Sequence, residues 1–165
     1  SRDLPCVFEK AIAKHAQLAE KYGLQVIVQL HGGGYYPHNA TTAYNGIKNL
    51  DPKYVGIKVD PGNNANQEGT ERALYQVELL QEYIGAIGIK DTAFFPNTDK
   101  KGYYKAFVPC GEGVNDYKEY LAEMKKYNFK GPGIFMPFYE ENDVSVLKTK
   151  LLGEIEYIKK IEAEI

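Results

Sequence analysis

The sequence predicts an α/β fold built on parallel strands. Helix-period stripes and strand-like apolar runs alternate along the chain in the order α-β-α-β-α-β-α-β-α. The first two strand runs close on turn signals, Gly32-Gly33-Gly34 and Asp60-Pro61-Gly62. The length of 165 residues, 44% hydrophobic and 25% charged, suits one compact domain over residues 1–165. Strands that alternate with helices are joined by right-handed crossovers and lie parallel.

Each element has its own pattern. Phe8, Ile12, Ala16, Ala19 and Tyr22 recur at helical spacing, and Gly23 supplies the stop. Residues 24–30 read as a buried strand, and residues 41–50 as a short helix ending near Asp51-Pro52. A second strand covers 54–59. A helix follows over 67–83, with Ala73, Val77, Leu80 and Ile84 on its inner stripe. Residues 84–90 form a third strand, weakened by two glycines, and 92–109 read as a long polar and aromatic loop. Asp116 with Glu119 makes a capping-box start for the next helix. The fourth strand is 131–136, and the last helix carries Val144, Leu147, Leu151, Ile155 and Ile158 on one face.

Composition excludes several functions. Twenty Lys plus Arg against 22 Asp plus Glu give a net charge of -2, which argues against a basic face for nucleic acid. No apolar run approaches the ~20 residues of a membrane helix. The start shows no signal-peptide pattern, so the cytoplasm is the default address. Cys6 and Cys110 are too few for a disulfide framework or a thiolate zinc site. The chain lacks a starting Met and enters almost at once through a helix, so a piece of a longer protein is expected.

Several strand ends carry more specific text. Val55-Gly56-Ile57-Lys58-Val59-Asp60-Pro61-Gly62-Asn63 looks like a strand ending in an Asp-Pro-Gly-His motif. Ile87-Gly88-Ile89-Lys90-Asp91 is similar to His-Val-Lys-Asp, and 108–116 to a Pro-x-Gly-Glu-Gly-x-x-Asp segment. Val28-Gln29-Leu30-His31-Gly32 stands where Glu-Asn-His-Gly would, and 131–136 where a Gly-Pro run leads to a terminal Glu. In that order and spacing, the blocks resemble the sugar phosphate isomerase/epimerase family, the xylose-isomerase-like TIM barrel. The resemblance implies strands five to eight of the barrel, the C-terminal half. A half barrel has two raw sheet edges, so the chain is expected to pair with the missing half or to homo-oligomerise.

The resemblance also implies a site for a sugar or polyol at the C-terminal mouth. There the family holds one divalent metal (Mn, Mg, Co or Zn) with Glu, Asp, His and Glu. The matching positions here are Gln29, Asp60, Gly88 and Met136, so Asp60 is the only retained ligand position. No cofactor is therefore expected, and the chain reads as a diverged binding protein or pseudoenzyme. Two alternatives stand beside this. One is an active isomerase with a relocated metal site using His31, Asp60 and Glu140 or Glu141; the other is an assembly subunit with a vestigial cleft. By strand parity Lys58 lies one layer below Asp60, and Lys90 shares the parity of Gly88. A lysine ammonium beside Asp60 would replace the lost metal's charge; a Schiff base on Lys58 is the sharper reading. Asp60 and Lys58 are the candidate catalytic residues, and Gln29, His31, Asn63, Lys90 and Asp91 the candidate substrate-binding ones. His15 and His38 read as surface or interhelix residues, and the three glycines from Gly32 as a permissive loop or a phosphate cradle.

Overall fold

The computed structural model describes residues 2–31, 35–66 and 72–165. Four parallel strands form the central sheet in the order β1-β2-β3-β6: Val26–Gln29, Val55–Val59, Ile84–Ile89 and Gly133–Phe135. The register runs Gln29 against Lys58 and Gly88 against Ile134, with one irregularity between Ile57 and Lys58. All three ladders are parallel, as the alternation predicts.

Among the described residues, six helices accompany the strands: α1 (Leu4–Tyr22), α2 (Ala40–Ile47), α3 (Pro61–Asn66), α4 (Ala73–Leu80), α5 (Tyr117–Lys126) and α6 (Val144–Glu164). Local chemistry sets their ends. Gly23 closes α1 at φ 64°, a left-handed conformation that lets Leu24 N–H reach the Ala19 carbonyl at 2.9 Å. Asn39, Asp116 and Asp143 cap α2, α5 and α6 by accepting from Thr42, Glu119 and Ser145 N–H. None of the described helices is long and apolar enough to cross a membrane.

One face of the sheet packs under the helices. Val55, Ile57, Val59, Ile87 and Ile89 meet Ile47, Val77, Leu80, Met124 and Ile158 in a single buried cluster. Each such side chain contributes about 1.5–3 kcal/mol on leaving water. The opposite face is built differently. It carries small or polar residues, Gly56, Lys58, Gly88 and Lys90, with Ile27 and Ile134 partly exposed at its two sides. The core therefore lies on one side of the sheet and the polar strand ends on the other.

Two segments depart from the sequence reading. Residues 92–109 are an antiparallel hairpin and not a loop, β4 (Asp91–Pro96) with β5 (Tyr103–Val108). Its cross-strand pairs, such as Phe95 with Tyr104 stacked at 5.4 Å between ring centroids, hold the ribbon together. The helix expected over 67–83 is α4 followed by a 3-10 turn at Gln81–Tyr83, and residues 67–71 lie outside the described residues. The short α3 is an addition. Asp60 precedes Pro61 and accepts from Asn63 N–H at 2.7 Å, which starts a helix in a stretch of low helical propensity.

Candidate active site

The ends of β2, β3 and β6 bring Asp60, Lys58, Gly88, Lys90 and Met136 together. Lys90 Nζ lies 3.3 Å from Asp60 Oδ2, with the two side chains 2% and 0% exposed. The contact is an ion pair, and beyond it the buried Oδ2 and Nζ have no further hydrogen-bond partner among the described residues. The other oxygen, Oδ1, accepts from Asn63 N–H. Lys58 Nζ reaches Met136 Sδ at 3.4 Å. The Lys90 ammonium also sits over the rings of Phe107, at 4.8 Å, and Phe138, at 4.5 Å.

Gly88 makes this arrangement possible. A Cβ there would stand 2.7 Å from Asp60 Oδ2 and 3.3 Å from Met136 Sδ. The absent side chain leaves the space into which the carboxylate leans to meet Lys90. Burial raises the Asp60 pKa above the ordinary carboxylate range, opposed by the Lys90 charge. Burial likewise lowers the Lys90 pKa, opposed by Asp60. Each group is held in place by the charge of the other.

Asp91, one residue further along the chain, points into a different environment. It is fully buried, and its two oxygens accept from the N–H groups of Thr92, Gly111, Gly113 and Asn115 and from the Asn115 side-chain amide. Its acceptor capacity is spent on Thr92 N–H and on the loop after β5. Asn63 is also committed, since its side-chain amide donates to the Leu30 carbonyl at 3.2 Å and only 4% of the residue is exposed.

Gln29 lies half-buried at the end of β1, opposite Lys58. His31 is exposed, with its ring edge-on to Tyr35 at 4.9 Å. His38 packs against Tyr36, and His15 bonds the Ala11 carbonyl within its own helix. Glu140 is exposed, and Glu141 is ion-paired with Lys150 at 2.9 Å. Gly32-Gly33-Gly34, the candidate phosphate cradle, lies outside the described residues.

Sequence reasoning missed Phe107, Phe138 and Tyr117. The Tyr117 hydroxyl donates to the Lys90 carbonyl at 2.6 Å and accepts from Lys90 N–H at 3.0 Å, which fixes the backbone from which Lys90 projects. Its burial pushes the phenol well above its usual value. The one sequence signal for it was its place directly after the Asp116 cap.

Residues 6–161 match the model of a family described as xylose isomerase-like TIM barrel. The chain belongs to that family. Solved structures agree on the fold. A xylose isomerase domain protein from Planctomyces limnophilus superposes with a TM-score of 0.71 at 20% identity, over 91% of this chain and 51% of that one. A xylose isomerase-like TIM barrel protein from Mycobacterium smegmatis, in complex with magnesium, gives 0.73 at 17% identity, over 95% and 52%. A D-psicose 3-epimerase from Clostridium cellulolyticum H10, with D-tagatose, gives 0.70 at 14% identity, over 93% and 54%. The chain thus spans about half the length of these structures, as a half barrel does. No curated protein matches it by sequence.

The metal implied by the family does not fit the residues here. Among the described residues, no three His, Cys, Asp or Glu side chains come together to hold an ion. The one carboxylate at the family's ligand positions faces an ammonium at 3.3 Å. The neutral amide of Gln29 and the soft thioether of Met136 are poor ligands for a hard dication.

Proposed function

We propose that this chain is the sugar- or polyol-binding half of a xylose isomerase-like barrel in which the Lys90–Asp60 ion pair stands in place of the divalent metal. The observation that carries the reading is the 3.3 Å approach of Lys90 Nζ to Asp60 Oδ2 with both groups buried. An ammonium at that point supplies the positive charge the carboxylate needs. It offers no open coordination position, so it cannot polarise a sugar carbonyl and hydroxyl together as a dication does. The mouth is thereby suited to binding in preference to metal-assisted isomerisation, and a companion half barrel or a second copy closes the ring.

Elemental analysis of protein purified without chelators, followed by calorimetric titration with D-tagatose, tests this. Binding of the sugar by metal-free protein, with no uptake of Mn²⁺, Mg²⁺, Co²⁺ or Zn²⁺, is the expected result. Stoichiometric bound metal with aldose–ketose turnover would replace the reading with that of an isomerase whose metal site has moved. A defined oligomer with no sugar binding would favour the assembly role.

A further inference from the structure

Two aromatic rings close over Lys90, and each comes from a different part of the chain. Phe107 stands near the end of β5, and Phe138 lies in segment 136–143, which joins β6 to α6 without helix or strand. The rings are 5.8 Å apart between centroids, and Lys90 beneath them is 2% exposed. Phe138 itself is 55% exposed. A ring so open to water gains little from apolar burial, so its place over the ammonium has to be fixed by other contacts.

Glu154 supplies one. It sits in α6, 3% exposed, and its two oxygens take different partners. Oε1 accepts from Cys110 N–H at 2.8 Å, just beyond Phe107 in the chain. Oε2 accepts from the hydroxyl of Tyr139, the neighbour of Phe138, at 3.0 Å. One carboxylate thus ties both ring-bearing segments to the same helix. Among the described residues no cation pairs with it, and burial raises its pKa, opposed by those two donors. A buried carboxylate without a counter-charge is costly, and the two hydrogen bonds offset that cost.

The two ties are unequal. The loop after β5 is held a second time by Asp91, through the N–H groups of Gly111, Gly113 and Asn115. Between Met136 and the Asp143 cap, the other polar tie to α6 among the described residues is Lys150. It pairs with Glu141 at 2.9 Å and lies over the Tyr139 ring at 5.3 Å. That pair is part-exposed, and such pairs hold weakly.

We infer that Glu154 is a positioning residue: through Tyr139 it latches Phe138 over Lys90, so the cover on the Lys90–Asp60 pair opens on the Phe138 side. The latch stands whether or not the mouth binds a sugar. Glutamine would keep it, with its carbonyl accepting from Cys110 and its amide donating to the phenol oxygen, whereas leucine would not.

Labelling of the whole chain with acetic anhydride, read at each lysine by mass spectrometry, tests this. Tyr139→Phe removes one oxygen and leaves the Cys110 bond intact; it raises the rate at Lys90 at least about tenfold, the share of one hydrogen bond to a charged group. Lys126, whose side chain is 68% exposed, keeps its rate. Glu154→Leu acts like Tyr139→Phe, and Glu154→Gln stays close to wild type. Amide exchange in β2 and β3, followed in the same proteins, is unchanged, which marks the opening as local. Should the leucine variant fail to fold, Tyr139→Phe and Glu154→Gln carry the test. Lys90 labelling that stays at the wild-type rate in Tyr139→Phe overturns the inference. So does labelling that rises only together with β2–β3 exchange, or a glutamine variant as fast as Tyr139→Phe.

Discussion

Asp60 and Asp91 are both buried carboxylates at the ends of neighbouring strands, yet they are built for opposite purposes. Asp91 accepts five hydrogen bonds, four of them from backbone N–H groups of residues 92–115. Asp60 accepts one backbone hydrogen bond and faces an ammonium, with Oδ2 otherwise unpartnered. A carboxylate saturated by backbone donors is a fixed part of the scaffold, because nothing can replace its partners without unfolding the loop. A carboxylate held by a single side chain depends on that side chain, and its environment can be altered by one substitution. The difference separates structure from site where burial alone does not.

Substitutions at the two places should break this comparison to different extents. Asp91→Ala has the largest expected effect, a loss of more than about 3 kcal/mol in chemical denaturation, because several buried donors lose their acceptor at once. Gly113→Ala should act in the same direction, since a Cβ there collides with the Asp91 carboxylate. Lys90→Met comes next at about 3 kcal/mol, leaving Asp60 as an unpaired buried charge. Combining it with Asp60→Asn should recover most of that loss, whereas no partner substitution rescues Asp91→Ala. Gly88→Ala should cost about 1–3 kcal/mol, because its Cβ meets Asp60 Oδ2 at 2.7 Å and must push the carboxylate from Lys90.

The smallest effect concerns pH. Burial holds the Asp60 pKa above its ordinary value, so the folded chain binds this proton more tightly than the unfolded one. The stabilisation this gives is complete below the ordinary aspartate pKa and is lost as pH rises through the raised one. Melting curves of wild type and Asp60→Asn should therefore move apart in the variant's favour between acidic and neutral pH. A gap that stays constant would mean that Asp60 titrates alike in the folded and unfolded states.

The fold was legible because its strands and helices differ in hydrophobic period. The run 55–59 is a short apolar-rich stretch closed by Asp60-Pro61-Gly62, and the stripe Ile12, Ala16, Ala19 recurs at helical spacing, patterns that a single chain shows. The hairpin was not legible. Its aromatics stand in adjacent pairs, Phe94-Phe95 and Tyr103-Tyr104, because the far half of the ribbon is exposed on both faces and has no inside to enforce alternation. The start of α3 carried a signal in Asp60-Pro61, a cap followed by the residue favoured in the first turn, masked by the glycine and asparagines after it.

At the site, strand parity placed Lys58, Asp60 and Lys90 on one face, and the 3.3 Å ion pair agrees with it. Parity speaks only for residues within strands. Phe107 and Phe138, which flank the Lys90 ammonium, come from the hairpin and from the segment after β6, whose mutual placement depends on the folded chain. The burden carried by Asp91 was hidden for the same reason, since four of its five donors come from the loop at 111–115.

The sheet's two outer strands differ in length, four residues in β1 and three in β6. β6 leads directly into the segment that carries Met136 and Phe138, so the side of the site these two residues form hangs on three paired positions, Ile87 with Gly133, Gly88 with Ile134 and Ile89 with Phe135.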